Sequence, residues 1–197
     1  MNNPVTGQSA YNTHDDGSEE SSHKRIALDW IVQAGDWSVF EPLDEHFAQI
    51  SAVLEHASGL DWPADKCEAT IALSDDVSVH ALNIKFRNID KSTNVLSFPA
   101  LNINSNITDT YFLGDVILAS ETILHEAEER NLQPVHHLVH LLIHGILHLI
   151  GYDHKNAADA DIMEKLEIRL LAELGIRDPY TQYECQQQSK ETAYHPE

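Results

Sequence analysis

Residues 144–154 read HGILHLIGYDH, and this stretch constrains the fold more than any other. The spacing H-x3-H-x5-H predicts a helix that opens at Pro134 and runs to about Ile150. Residues four apart share one helix face, so His144 and His148 can aim at one ion. Gly151 lets the chain leave the helix in a conformation that other residues resist, and the turn can return His154 beside the first two. Three imidazoles with one open position make a catalytic type of zinc site. Asp153 either accepts a ligand's second N–H or shapes the turn. His137 and His140, on the same helix, are expected in supporting or structural roles.

The ligand spacing is that of a large group of zinc proteases, H-E-x-x-H-x-x-G-x-x-H, but the glutamate's place is taken by Gly145. Zinc lowers the pKa of a bound water towards ~7 without a carboxylate base. Peptide hydrolysis still needs a proton for a poor amine leaving group, and Gly145 has none to offer. Phosphodiester cleavage asks instead for neutralised phosphate oxygens and a positioned nucleophile, which in RNA can be the adjacent 2′-OH. The chemistry therefore points away from a protease and towards phosphodiester cleavage.

The rest of the chain alternates short strands and helices. Strands are predicted at 26–33, 69–74, 92–99 and 112–119, the last being apolar enough for a central strand. Helices are predicted at 43–57, 77–87 behind a Ser74-Asp75-Asp76 cap, from Ser120, over 134–150, and over 156–174 before Gly175. About four strands and five helices make one α+β domain, with the metal site at a helix-turn. Residues 1–25 and 178–197 are polar and aperiodic and read as tails around a domain of residues 26–177. The two cysteines, Cys67 and Cys185, are expected to be reduced. No apolar run reaches the ~20 residues of a membrane span, and the N-terminus lacks a secretory pattern, so a cytoplasmic protein is expected.

Charge limits the partners. The net charge is −20, and once the tails are set aside 24 acids and 9 bases remain. Such a body repels nucleic acid at long range, so any nucleic-acid role must rest on a local patch. Lys85, Arg87 and Lys91 supply one candidate, since a guanidinium fork suits phosphate. The plainer alternative is a solvated helix end. Asp115, on an otherwise apolar strand, is either a hydrogen-bond hub or part of the site.

Four segments, LNIKFRNIDKSTNVLSFP (82–99), LGDVILA (113–119), HLVHLLIHGILHLIGYDH (137–154) and LAELGIRDPY (171–180), resemble the YbeY family of bacterial endoribonucleases, also called rRNA maturation factors. The resemblance covers roughly residues 26 to 180 and implies a small mixed sheet flanked by helices. It implies a metal-dependent nuclease of single-stranded RNA, acting with the ribosome in small-subunit rRNA 3′-end maturation and quality control. The family's metal ligands fall on His144, His148 and His154, and its catalytic arginine on Arg87. One Zn2+ per chain is expected, although three imidazoles also accept nickel, copper or cobalt. Two rivals stand beside this reading: a metal-dependent protease or other hydrolase, and a non-enzymatic ribosome-assembly factor whose zinc is structural. In the latter, His140 or Asp153 would close the coordination sphere.

Overall fold

The computed structural model describes residues 25–101 and 110–181. Four strands form one mixed sheet: β1 (Arg25–Val32), β2 (Lys66–Ser74), β3 (Val95–Pro99) and β4 (Tyr111–Ala119). Their order is β1-β2-β4-β3, with β1, β2 and β4 parallel and β3 antiparallel to β4. The apolar strand FLGDVILA is thus paired on both sides, as its sequence predicts. Five helices surround the sheet: α1 (Leu43–His56), α2 (Asp76–Arg87), α3 (Ser120–Glu129), α4 (Pro134–Leu149) and α5 (Ala157–Glu173). This is the expected α+β architecture. A short 3-10 turn at Ser38–Phe40, which periodicity does not announce, buries Phe40 completely.

Helix α4 is the centre of the molecule. Ten of its sixteen residues are buried, so it packs on nearly every side. It touches β3, β4, α1, α3 and α5. Its closest approach to the sheet is at Gly145. A Cβ there would lie 2.8 Å from Val116 Cγ1 and 3.1 Å from Ser97 Oγ. Ser97 Oγ donates to the Gly145 carbonyl at 3.1 Å, which pins the helix to β3. The position that holds glutamate in the zinc proteases therefore faces the sheet, with no room for a side chain.

The segment between α2 and β3 is held largely by side chains, with backbone bonds at its two ends, Ile89 N–H to the Asn83 carbonyl and Ala119 N–H to the Asn94 carbonyl. Asn88 ends α2 in the left-handed region at φ 57°. Buried Asn83 donates from Nδ2 to the Lys91 carbonyl at 2.7 Å. Asn94 accepts from the Val95 amide with Oδ1 at 2.7 Å and donates from Nδ2 to Glu126 Oε2 at 2.8 Å. Glu126 is bonded in turn to the buried His137 at 2.7 Å. Burial would raise the Glu126 pKa, but the hydrogen bonds from His137 and Asn94 outweigh it and hold the carboxyl below its ordinary value. β3 starts at Val95 and not at Ser92 as expected; just before it the Asn94 carbonyl still accepts from the Ala119 amide of β4 at 3.0 Å, while the Asn94 side chain caps the strand's first amide.

Two further expectations meet the structure here. Cys67 is buried, its Sγ donating to the Ala64 carbonyl at 3.4 Å; Cys185 lies outside the described residues. The polar tails also lie outside them, except for Arg25 and residues 178–181. In that last stretch Tyr180 turns inward and donates a hydrogen bond to Glu167. No helix among the described residues is long and apolar enough to cross a membrane.

The packing at Gly145 makes a measurable demand. Gly145→Ala should lower the unfolding free energy by about 1–3 kcal/mol, the cost of overpacking, despite alanine's better helix propensity. Urea denaturation reads this directly, and an unchanged or raised midpoint would show that the helix can back away from Val116.

Candidate metal centre and its groove

His144 and His148 sit on successive turns of α4, to one side of the Gly145 contact with the sheet. Gly151, at φ 101°, turns the chain out of the helix, and His154 returns to the pair. One ligand atom from each of the three imidazoles lies within 4.8 Å of the others. Among the described residues this is the group able to hold a metal ion.

Hydrogen bonds decide which nitrogens face inward. His144 Nδ1 lies 2.7 Å from Glu167 Oε1, and His148 Nδ1 lies 2.9 Å from the Tyr152 carbonyl. Both partners are acceptors, so both Nδ1 atoms carry the proton. The two Nε2 atoms then face each other at 3.1 Å. In neutral rings those atoms present lone pairs, which repel unless a cation lies between them. His148 is held neutral: burial, then the nearby His144, push its pKa below the ordinary histidine value, more than the Tyr152 carbonyl raises it. Neutral imidazoles with outward N–H groups anchored and inward lone pairs convergent fit a borderline metal such as zinc.

Glu167 is the site residue that sequence reasoning missed. It comes from α5, its side chain is 1% exposed, and it collects three donors. Oε1 takes His144; Oε2 takes His140 Nε2 at 2.9 Å and the Tyr180 hydroxyl. Burial alone would raise its pKa, but the hydrogen bonds and charges of His140 and His144 bring it to about 2. It is therefore an ionised carboxylate. Burial, then the adjacent Glu167, push the Tyr180 phenol well above its usual range, so it stays a donor. A signal did exist in the sequence: Met163, Glu167, Leu170 and Leu171 form one buried helical stripe, and an acid on such a stripe needs partners.

The other candidates separate clearly. His140 is turned to Glu167, and His137 to Glu126, so neither joins the three histidines. Asp153 shapes the turn: its Oδ1 accepts from the His154 amide at 2.8 Å, and its Oδ2 pairs with Lys155. Asp115 is only half-buried and lies on the sheet face away from α4, since its neighbour Val116 is the residue that meets Gly145. It does not line the histidine groove.

That groove has a volume of about 700 Å3. His144, His148 and His154 form one wall; Arg87, Ser97 and Asn94 belong to the other. Arg87 is exposed at the end of α2, and its Nη2 donates to the Ser97 carbonyl at 3.1 Å. One guanidinium bond steers the side chain, and the remaining N–H groups are left for a ligand. Lys155 also reaches the groove, whereas Lys85 and Lys91 lie outside its lining. A cavity of the same size, about 700 Å3, lies on the far side of Glu167 between the start of α4 and residues 175–181. It lacks the three histidines.

Residues 38–175 match the family model described as Endoribonuclease YbeY. Curated relatives of that name include one from Bradyrhizobium diazoefficiens, 43% identical over 162 residues, covering 81% of this chain and 88% of the relative. Another, from Rhizobium meliloti, is 43% identical over 156 residues, covering 76% and 91%. The solution structure of a Thermotoga maritima protein shares the fold, with a TM-score of 0.50 and 20% identity over 81% of this chain and 93% of that one.

Two outcomes follow from the Glu167 network. Glu167→Gln should weaken zinc binding about 10–100-fold, as loss of a ligand's orienting partner does. Competition with a chromophoric chelator measures it, and wild-type affinity would refute the orienting role. The folded-state pKa of Glu167 is lowered, so its stabilisation is complete above its unfolded value near 4.5 and is lost as pH falls towards about 2. Metal-free wild type should therefore lose urea resistance more steeply over that window than Glu167→Gln.

Proposed function

This chain belongs to the Endoribonuclease YbeY family, and from that premise we propose a zinc-dependent, single-strand-specific endoribonuclease acting in the 3′-end maturation of small-subunit rRNA and in ribosome quality control. The observation that carries this reading is the pairing, across one groove, of three convergent histidines with an exposed arginine. The catalytic unit is the domain of residues 26–177, flanked by polar tails, and it works in the cytoplasm.

In this proposal His144, His148 and His154 hold the ion through imidazole nitrogens. A bound zinc supplies Lewis acidity, which lowers the pKa of a water towards about 7 and draws charge from a phosphate. Arg87 neutralises the scissile phosphate from the opposite wall, with its fork steered by the Ser97 carbonyl. Glu167 keeps the His144 ring in place. The groove lacks the protease's glutamate, and Gly145 could not carry one, which disfavours peptide hydrolysis. Two nucleophiles suit the site. Attack by water on phosphorus that breaks the P–O3′ bond leaves a 3′-hydroxyl on one fragment and a 5′-phosphate on the other. Attack by the 2′-OH expels the 5′-oxygen and leaves a 2′,3′-cyclic phosphate; the end group of the product tells them apart.

The net charge of −20 opposes general affinity for RNA. It suits a nuclease whose substrate is presented by the ribosome or by a ribosomal protein, with the local bases making the final contacts.

Zinc-loaded protein should cut a short single-stranded RNA. Arg87→Glu should keep the zinc and the fold and lose about 100-fold or more in rate, the scale for removing one electrostatic stabiliser. His148→Ala should lose both zinc and cleavage. Normal cutting by Arg87→Glu would end the clamp assignment, and full zinc stoichiometry in His148→Ala would end the ligand assignment.

A further inference from the structure

Beside Arg87 the surface carries an aromatic ring that the core does not use. Phe86 is 53% exposed and is not among the buried residues of either hydrophobic cluster. The small cluster under α2, built on Val79, Leu96 and Ala119, is closed by Leu82, Phe98 and Ile117 without it. A half-exposed phenyl ring would usually be mobile, but this one is braced. Phe98 meets it in a T-shaped contact, with centroids 5.2 Å apart and planes at 68°. The Lys85 ammonium sits 4.9 Å from its centroid.

The placement of the ring relates it to the groove. Consecutive residues of α2 meet consecutive residues of β3: Phe86 touches Phe98, and Arg87 bonds the Ser97 carbonyl. The ring is not part of the groove's lining: it meets the Phe98 side chain on the face of β3 opposite the Ser97 hydroxyl that bonds α4, one helix residue before the guanidinium that reaches over to the Ser97 carbonyl. Ile89, 52% exposed, lines the groove on the same side. In a chain of net charge −20, Lys85 and Arg87 flank this ring on both sides in sequence. A protein partner chosen by the bulk charge would be basic and would be repelled here. A polyanion with flat apolar faces is complementary.

We propose that Phe86, braced by Phe98 and flanked by Lys85, is a stacking platform for a nucleobase of the single-stranded RNA whose phosphate Arg87 receives. The proposal rests on the nuclease reading above and adds how the strand is gripped. A base next to the cut stacks on the ring, and Lys85 meets the backbone of that nucleotide. Every base has a π-face, so this grip tolerates sequence. It also favours single strands, because a base in a duplex is already stacked on its neighbours.

The test separates the platform from the nuclease. Phe86→Ala should raise KM for a short oligouridine about tenfold, within the range for losing one stacked base, while kcat and zinc content stay within twofold. Phe86→Tyr keeps the π-face and should retain wild-type KM; Phe86→Leu keeps the bulk and should resemble alanine. Thermal midpoints of the three variants identify any that fail to fold, and the tyrosine–leucine comparison carries the test if alanine does. Phe86→Trp gives a readout independent of cleavage, since its emission should be quenched as oligouridine binds. An unchanged KM in Phe86→Ala and Phe86→Leu, with Arg87→Glu still inactive, would overturn the platform and leave the nuclease standing. Leucine matching wild type would mark the patch as an apolar protein contact instead. Wild type that neither binds nor cuts oligouridine would sink both.

Discussion

Everything about the site follows from how tightly one helix lies on one strand. At Gly145 the α4 backbone comes so close to β4 that a methyl group would sit 2.8 Å from Val116. Ser97 on β3 ties off the carbonyl at the same point. That contact sets the rotation of α4 about its own axis. With Gly145 against the sheet, His144 and His148 look outward into the groove beside β3. The same contact rules out a protease-like glutamate, because its place is occupied by the sheet. A single glycine thus fixes the aim of two histidines and leaves no carboxylate at its own position.

The second constraint is electrostatic. A carboxylate that is 1% exposed persists only with partners, and Glu167 has His140, His144 and Tyr180. These partners come from α4 and from the segment after α5, so the charge draws distant pieces of chain together. The cost of burying it is offset by three donors, two of them histidines. One result is a fixed ring for His144. Another is a C-terminal segment that packs inward at Tyr180 although its sequence is polar.

The opposite wall is built on different principles. The chain from Asn88 to Asn94 has no regular structure, yet it is held at nearly every step. Asn83 binds the Lys91 carbonyl, His80 pairs with Asp90 at 2.7 Å, and Asn94 bridges to Glu126 and so to His137. The segment reading DKSTNVLSFP therefore spends its polar residues on architecture, which places Ser97 to steer Arg87. The roles proposed there fall on residues that architecture leaves exposed, Arg87 and Phe86.

Local pattern was enough for the elements. The apolar run of β4, the caps of α2 and α5, Pro134 at the start of α4 and Gly151 at its end are all written in short stretches of sequence. The histidine triad was legible too, because two histidines one turn apart and a glycine turn are local geometry. Only the tertiary structure decided the rest. Whether Arg87 was a solvated helix end or a groove residue depended on β3 crossing beneath it, ten residues away. Whether Asp153 held a ligand or a turn depended on where its hydrogen bonds went. Glu167 became the anchor of a histidine 23 residues earlier through the packing of two helices. Periodicity and spacing report what a residue does to its own element; a contact between elements exists only once the core has brought them together.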